Sequence, residues 1–264
     1  MYDTKPNRLF TNTGKRLLIT FCLDVSPSMG KEIAQKRSAI AILNETVDGI
    51  VTELAKDKKL QSMVELMFVT FSSDILSINR TSLNRYTHQT FCEEPVGGSN
   101  IPQAVLGTFQ KIDERVKDYQ RAGMRYHSPI FVLISDGNPD YEESDELERR
   151  AMDLVTTRCQ RNVSGSVCPF IIGIGDELNE STQSTMAGYA KGFMDGYFHV
   201  MGDEALQSRI AKMIVKLFTC SIKYVAQNSD YSIKALDATA SEMNRVQTEI
   251  SQEIQMYRRT GEAR

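Results

Sequence analysis

The chain has 264 residues, 41% of them apolar and 25% charged, with no tryptophan and a formal net charge of −3. That is enough chain to bury a sizeable core without disulfides or a structural metal, and its mild acidity gives no electrostatic ground for expecting DNA or RNA. The opening segment MYDTKPNRLFTNTGKR has no apolar stretch of the kind a signal peptide needs, and no apolar run approaches the roughly 18 residues that cross a bilayer. The five cysteines, Cys22, Cys92, Cys159, Cys168 and Cys220, are widely spaced with no C-x-x-C pair, so zinc and thioredoxin-type chemistry have no support. The expectation is a reduced, cytoplasmic protein with neither a nucleic-acid nor a membrane partner.

In chain order, LLITFCLDV (17–25) is a nearly continuous apolar run, as expected of a central strand covered on both faces. Ile33, Arg37 (through its stem), Ile40, Leu43, Val47, Ile50 and Leu54 keep a three-to-four spacing, which predicts a helix of about six turns over 33–54. MVELMFVTF (63–71) reads as a second strand, and a looser extended stretch over 75–92 as a third, at the sheet edge. Two glycines then lead into a helix carrying Ile101, Val105, Phe109, Ile112, Val116 and Tyr119 on one face. Asn100 can cap it, and Pro102 is tolerated in its first turn.

PIFVLISDG (129–137) repeats the pattern of the first strand, an apolar run ending in a polar turn. A charged helix near 144–161, a strand at 168–174, a short helix near 180–191, a strand at 196–201 and a helix at 203–219 complete the alternation. Six strands with intervening helices imply an α/β fold, a doubly wound, mainly parallel sheet with helices on both faces. Beyond about residue 225, Leu236, Ala240, Met243, Val246, Ile250, Ile254 and Tyr257 mark a long amphipathic helix. It either packs back on its own domain or protrudes as a partner-binding arm. Glu253 interrupts a strict coiled-coil seam. The expected organisation is an N-terminal extension (1–14), one α/β domain (15–222) and a C-terminal helical extension (223–264).

In a doubly wound sheet of order 3-2-1-4-5-6, ligands bind beyond the carboxyl ends of the strands where the order reverses. Asp24 ends the first strand and Asp136 follows the fourth, so the two would face one crevice. Ser26 and Ser28 occupy the first crevice loop, and Ser99, behind Gly97-Gly98, sits in a loop able to lean over it. Two carboxylates and three hydroxyls are hard oxygen donors that suit Mg²⁺ or Mn²⁺ ahead of Ca²⁺. With so few anionic donors the ion would keep much of its charge and favour an incoming carboxylate. The competing reading is that the serines merely cap a helix starting near Lys31 and the aspartates sit in turns.

DVSPSM followed by GGSN and ISDG, with FVTFSSD between, resembles the von Willebrand factor A domain and its metal-ion-dependent adhesion site over roughly residues 15 to 220. The resemblance implies Asp24, Ser26, Ser28, Ser99 and Asp136 as metal ligands. Two positions depart from the family pattern. Ser99 stands where Thr is usual and loses the methyl that restrains its rotamer. Pro27 stands where Gly is common and removes one N–H. The short single-domain form looks most like bacterial stand-alone members associated with tellurium resistance, stress and phage defence. That likeness implies a partner such as a kinase, phosphatase or ATPase of the same system.

Other features carry less. The acidic run 136–148 begins like a calcium loop but has Tyr141 and Leu147 where an EF-hand needs Gly and Glu. Asp74 and Asp176 read as turn residues. His88, His127 and His199 lack zinc-protease spacing, and neither a P-loop nor a nucleophile elbow occurs. The function expected is a non-enzymatic, metal-dependent protein-interaction module completed by a partner's Glu or Asp. Its rivals are a Mg²⁺-dependent phosphoesterase and a metal-independent scaffold acting through the C-terminal helix.

Overall fold

The computed structural model describes residues 14–33, 37–91, 95, 97–137, 145–159, 165–175, 180–194, 196–227 and 233–260. The first thirteen residues, Cys92, Asp176, most of the acidic run (138–144) and the side chain of Leu236 lie outside the described residues. Six strands, β1 (Leu17–Asp24), β2 (Val64–Phe71), β3 (Ile75–Ser82), β4 (Ile130–Ser135), β5 (Cys168–Ile174) and β6 (Phe198–Val200), form one sheet in the order β3-β2-β1-β4-β5-β6. All neighbours are parallel except β3, which runs antiparallel to β2. β1 is buried along its whole length, as its unbroken apolar run requires for a strand with neighbours on both sides.

Successive residues of β1 reveal the two layers, because adjacent side chains leave a strand on opposite faces. The Phe21 ring lies 6.2 Å from that of Phe218 on α6 (Glu204–Gln227). The next residue, Cys22, accepts a hydrogen bond of 3.4 Å at Sγ from Thr108 on α3 (Ile101–Arg121). α6 and α3 therefore cover opposite faces. α1 (Ala39–Leu54) and α7 (Ile233–Thr260) pack beside α6, while α4 (Asp145–Arg158) packs on α3 and α5 (Glu180–Ala190) on α4. The chain has the doubly wound α/β fold that its alternating pattern predicts.

The differences from the sequence reading are local. The first helix starts at Ala39 rather than Ile33, capped by Ser38, whose hydroxyl accepts from the Ala41 N–H at 3.3 Å. Before it come a 3₁₀ turn (Pro27–Gly30) and a two-residue antiparallel pairing of Glu32–Ile33 with Arg37–Ser38. Apolar spacing alone does not reveal a start; a cap does, and Ser38 supplies it. β3 stops at Ser82, where a 3₁₀ turn over Leu83–Arg85 begins, so the extended stretch does not reach 92 as a strand. A short helix, α2 (Lys58–Met63), was not expected; Asp57 caps it by accepting from the N–H groups of Lys59 and Leu60 at 2.8 and 3.2 Å.

The C-terminal helix packs back on its own domain. Met243, Val246, Ile250 and Ile254 are buried in the same core as the sheet. Glu253 faces α6, where it pairs with Arg209 at 2.7 Å. No helix among the described residues is long and apolar enough to cross a membrane.

Candidate metal centre

β1 is the central strand at the point where the order reverses, and Asp24 is its last residue. Side-chain alternation sends Asp24 to the same face as Cys22, the α3 face. The loop entering α3 therefore meets it: Ser99 donates its hydroxyl to Asp24 Oδ2 at 3.0 Å. From the first loop, the Ser26 N–H donates to Asp24 Oδ1 at 2.9 Å. The Ser26 and Ser28 hydroxyls lie 3.0 Å apart and bond to each other. Asp24, Ser26, Ser28 and Ser99 are all buried.

The reading of Ser26 and Ser28 as helix caps does not hold. Ser26 precedes the Pro27–Gly30 turn but makes no side-chain capping bond, and Lys31 leaves that turn in an extended conformation. The long helix has its own cap in Ser38. The two hydroxyls are directed at each other beside a carboxylate instead of at backbone N–H groups.

Ser135, which ends β4, is a member of the cluster that the sequence reading did not single out. Its hydroxyl donates to Asp24 Oδ2 at 2.6 Å and accepts from the Gly137 N–H at 2.9 Å. The available signal was its place in ISDG: the β1–β4 register sets Leu23 beside Ile134, so the following residue falls beside Asp24. Asp136 is one residue further on, half-buried at the carboxyl end of the strand neighbouring β1. The structure thus joins Asp24, Ser26, Ser28 and Ser99 in one hydrogen-bonded group with Ser135, and sets Asp136 at the adjoining strand end.

The Ser99 loop is held from β2. Ser72 O accepts from the Asn100 N–H at 2.9 Å, and Ser73 Oγ accepts from the Gly98 N–H at 2.7 Å. Asn100 caps α3 by accepting from the Gln103 N–H at 3.0 Å, as expected. Gly97 is required twice over. Its φ of +83° is a left-handed conformation that side chains resist, and a Cβ there would meet Ser72 Oγ at 2.7 Å. The FSSD segment after β2 therefore serves to place Ser99; Asp74 contributes a backbone carbonyl to the Ser72 N–H in that turn, as a turn residue would.

The electrostatics of Asp24 are unusual. It is wholly buried, and its hydrogen-bond partners are hydroxyls and one backbone N–H. Among the described residues no Lys, Arg or His forms an ion pair with it. Burial pushes its pKa above the usual carboxylate value, and the bonds from Ser135, Ser26 and Ser99 oppose that shift without cancelling it. A buried carboxylate without a counter-charge costs several kcal/mol. A divalent cation is the counter-charge that an all-oxygen cluster of this kind accepts, so the residues present fit Mg²⁺ or Mn²⁺. No cluster of three or more His, Cys, Asp or Glu side chains suited to a metal occurs among the described residues, so a site here depends on serine hydroxyls.

No protein-family model matches the chain, and no curated protein sequence matches it. Solved structures resemble the chain to differing degrees. The PilB minor pilin from Streptococcus sanguinis is 15% identical, with a TM-score of 0.53 over 83% of this chain and 64% of the pilin. BatB from Bacteroides thetaiotaomicron is 17% identical, with a TM-score of 0.46, over 76% of this chain and 98% of BatB. A von Willebrand factor type A protein from Catenulispora acidiphila is 13% identical, with a TM-score of 0.46, over 77% of this chain and 42% of that protein. At such identities the likeness to the pilin is one of fold, and it agrees with the α/β architecture implied by the DVSPSM, GGSN and ISDG segments.

Proposed function

We infer that the chain is a protein-interaction module whose contact is made through a divalent metal ion at the carboxyl ends of β1 and β4. The observation that carries this reading is Asp24, a fully buried carboxylate gripped by serine hydroxyls and left without a cation among the described residues. Asp24, Ser26, Ser28, Ser99 and Asp136 would hold Mg²⁺ or Mn²⁺, with some of them acting through water. When bound, the ion would supply an electrophilic position open to a Glu or Asp carboxylate of a partner protein. The residues of the chain orient and desolvate that position: Ser135 and Ser99 fix the Asp24 carboxylate, and Ser72 and Ser73 fix the Ser99 loop.

Beyond the serines and aspartates of the cluster itself, no side chain suited to general base or nucleophile bonds Asp24 among the described residues, which favours binding over phosphoester hydrolysis. The burial of the α7 apolar stripe argues against a free C-terminal arm. The bacterial resemblance extends the proposal to a cytoplasmic stress-response or defence system whose kinase, phosphatase or ATPase presents the carboxylate. The test is affinity capture from the native host with Mg²⁺, with EDTA, and with Asp24→Ala in Mg²⁺, alongside calorimetric Mg²⁺ titration. A partner kept only by metal-loaded wild type is the expected result; equal retention in all three moves recognition away from the crevice.

A further inference from the structure

A second surface lies away from the crevice, at the free edge of the sheet. β3 ends the sheet, so among the described residues one side of this eight-residue strand has no neighbouring strand. Edge strands of soluble proteins are normally short, charged or interrupted, because an open edge templates further pairing. Here Leu76 and Ile78 are exposed at 52% and 38%, which makes them two of the three large hydrophobic side chains exposed among the described residues. The register is irregular only at Thr70/Phe71, near the start of β3, and regular from Ser77 to Ser82.

Beside this edge, on the α3 face, runs a groove of about 580 Å³ between β3 and α3, lined by Ile78, Arg80, Lys111, Arg115, Lys117 and Arg121 among others. Three of these cations are committed: Arg115 to Glu65 at 2.6 Å, Lys111 to Glu114 at 2.9 Å and Arg121 to Asp118 at 3.7 Å. Arg80 and Lys117 are exposed and have no ion pair among the described residues. An acidic chain with a net charge of −3 thus carries, beside this antiparallel edge strand, a groove in which five cations outnumber the two lining carboxylates, Glu114 and Asp118.

We propose that β3 accepts an extended, acidic segment of a partner protein as a seventh strand, with its alternate side chains entering the β3–α3 groove. Main-chain hydrogen bonds to an open edge supply affinity, and pockets for alternate side chains supply selectivity. On the α3 face, Ile78 calls for an apolar side chain and Arg80, two residues on, for a carboxylate, with Lys117 reaching across from the helix. A second copy of the chain is the poorer occupant, since edge-to-edge pairing would bring two cationic grooves together. This surface does not depend on the metal site.

The test uses the full chain in EDTA and a fluorescent nine-residue peptide, TVTETVTET, in which Val and Glu alternate along one face and Thr fills the other. Binding is read by anisotropy, and hydrogen exchange is followed over residues 75–82. The expected result is saturable binding with new protection in 75–82, weakened about tenfold or more by Arg80→Glu with Lys117→Glu. Both altered side chains are exposed, so the double variant keeps its fold, which circular dichroism checks. A peptide N-methylated at alternate residues keeps its charge but loses the N–H row, and it should fail to bind. Equal binding of the N-methylated peptide, or of a Lys–Val peptide, overturns strand addition. So does protection of β3 by a single-stranded oligonucleotide in preference to the peptide, or by concentration-dependent self-association.

Discussion

Asp24 and Glu65 sit at opposite ends of one pair of parallel strands, and the fold neutralises only one of them. Glu65, near the amino end of β2, is clasped by Arg115 through Nε at 2.8 Å and Nη2 at 2.6 Å, and it accepts from Tyr119 Oη at 2.8 Å. The Arg115 guanidinium also lies 4.7 Å from the centre of the Tyr119 ring. The carboxylate beside it holds Arg115 more firmly protonated than usual, although burial opposes this, and burial together with Glu65 pushes the Tyr119 pKa up. Asp24, at the carboxyl end of β1, has hydrogen bonds of similar number and length but only neutral donors. A charge closed by an arginine is a structural element. Asp24, more deeply buried than Glu65, is closed by serines and has no such cation among the described residues.

The largest effect should come from opening the closed end. Arg115→Ala leaves Glu65 without its cation and should cost about 3 kcal/mol in urea denaturation, whatever the Mg²⁺ concentration. Asp24→Asn should behave in the opposite way. It removes an uncompensated buried charge, so without metal at pH 7 it should be as stable as wild type or up to about 1 kcal/mol more stable. Wild type should gain about 2.7 kcal/mol when Mg²⁺ reaches a hundred times its Kd, and Asp24→Asn should gain nothing. If Asp24→Asn is instead destabilised like Arg115→Ala in EDTA, the comparison fails and Asp24 is an ordinary structural group.

The comparison sharpens with pH. A raised native pKa means that the folded protein holds a proton on Asp24 that the unfolded chain releases. In EDTA that contribution is complete below the ordinary value of 3.8 and is lost as pH rises through the native pKa. Metal requires the ionised carboxylate, so the Mg²⁺-induced rise in Tm should grow with pH across the same window. Ser135→Ala is a smaller perturbation. It deprives Asp24 Oδ2 and the Gly137 N–H of one partner each, which should cost about 1–2 kcal/mol and weaken Mg²⁺ binding. The mildest control is His127, whose pKa is lowered to about 4, first by burial and then by Lys15 and Lys59. Its neutral form is native, so stability should decline as pH falls from about 6.5 towards 4, in EDTA and Mg²⁺ alike. A metal-dependent slope there would mean that the two ends of the sheet are coupled.

Much of this architecture is legible in the chain. Continuous apolar runs at 17–25 and 129–137 identify central strands, and their polar ends place Asp24, Ser26 and Ser28 at a strand terminus. What escaped was governed by partners distant in sequence. Ser135 gains its role from lying next to Asp24 across a parallel ladder, a neighbour 111 residues away. The latch from Ser72 and Ser73 to the Ser99 loop depends on how two loops meet. The start of α1 was missed because spacing reports a helix face and not its first residue.

By itself, the sequence determined the α/β alternation, the strand that would be central, and the oxygen-rich character of its end, because periodicity and residue chemistry are local properties. Only the tertiary structure decided that the C-terminal helix packs back onto α6 instead of protruding. An amphipathic stripe states that a face must be covered but not by what. Only the tertiary structure, too, distinguished Asp24 from Glu65. Both are single carboxylates in apolar strands facing α3, and whether a cation reaches each one depends on which end of that helix the sheet brings beside it.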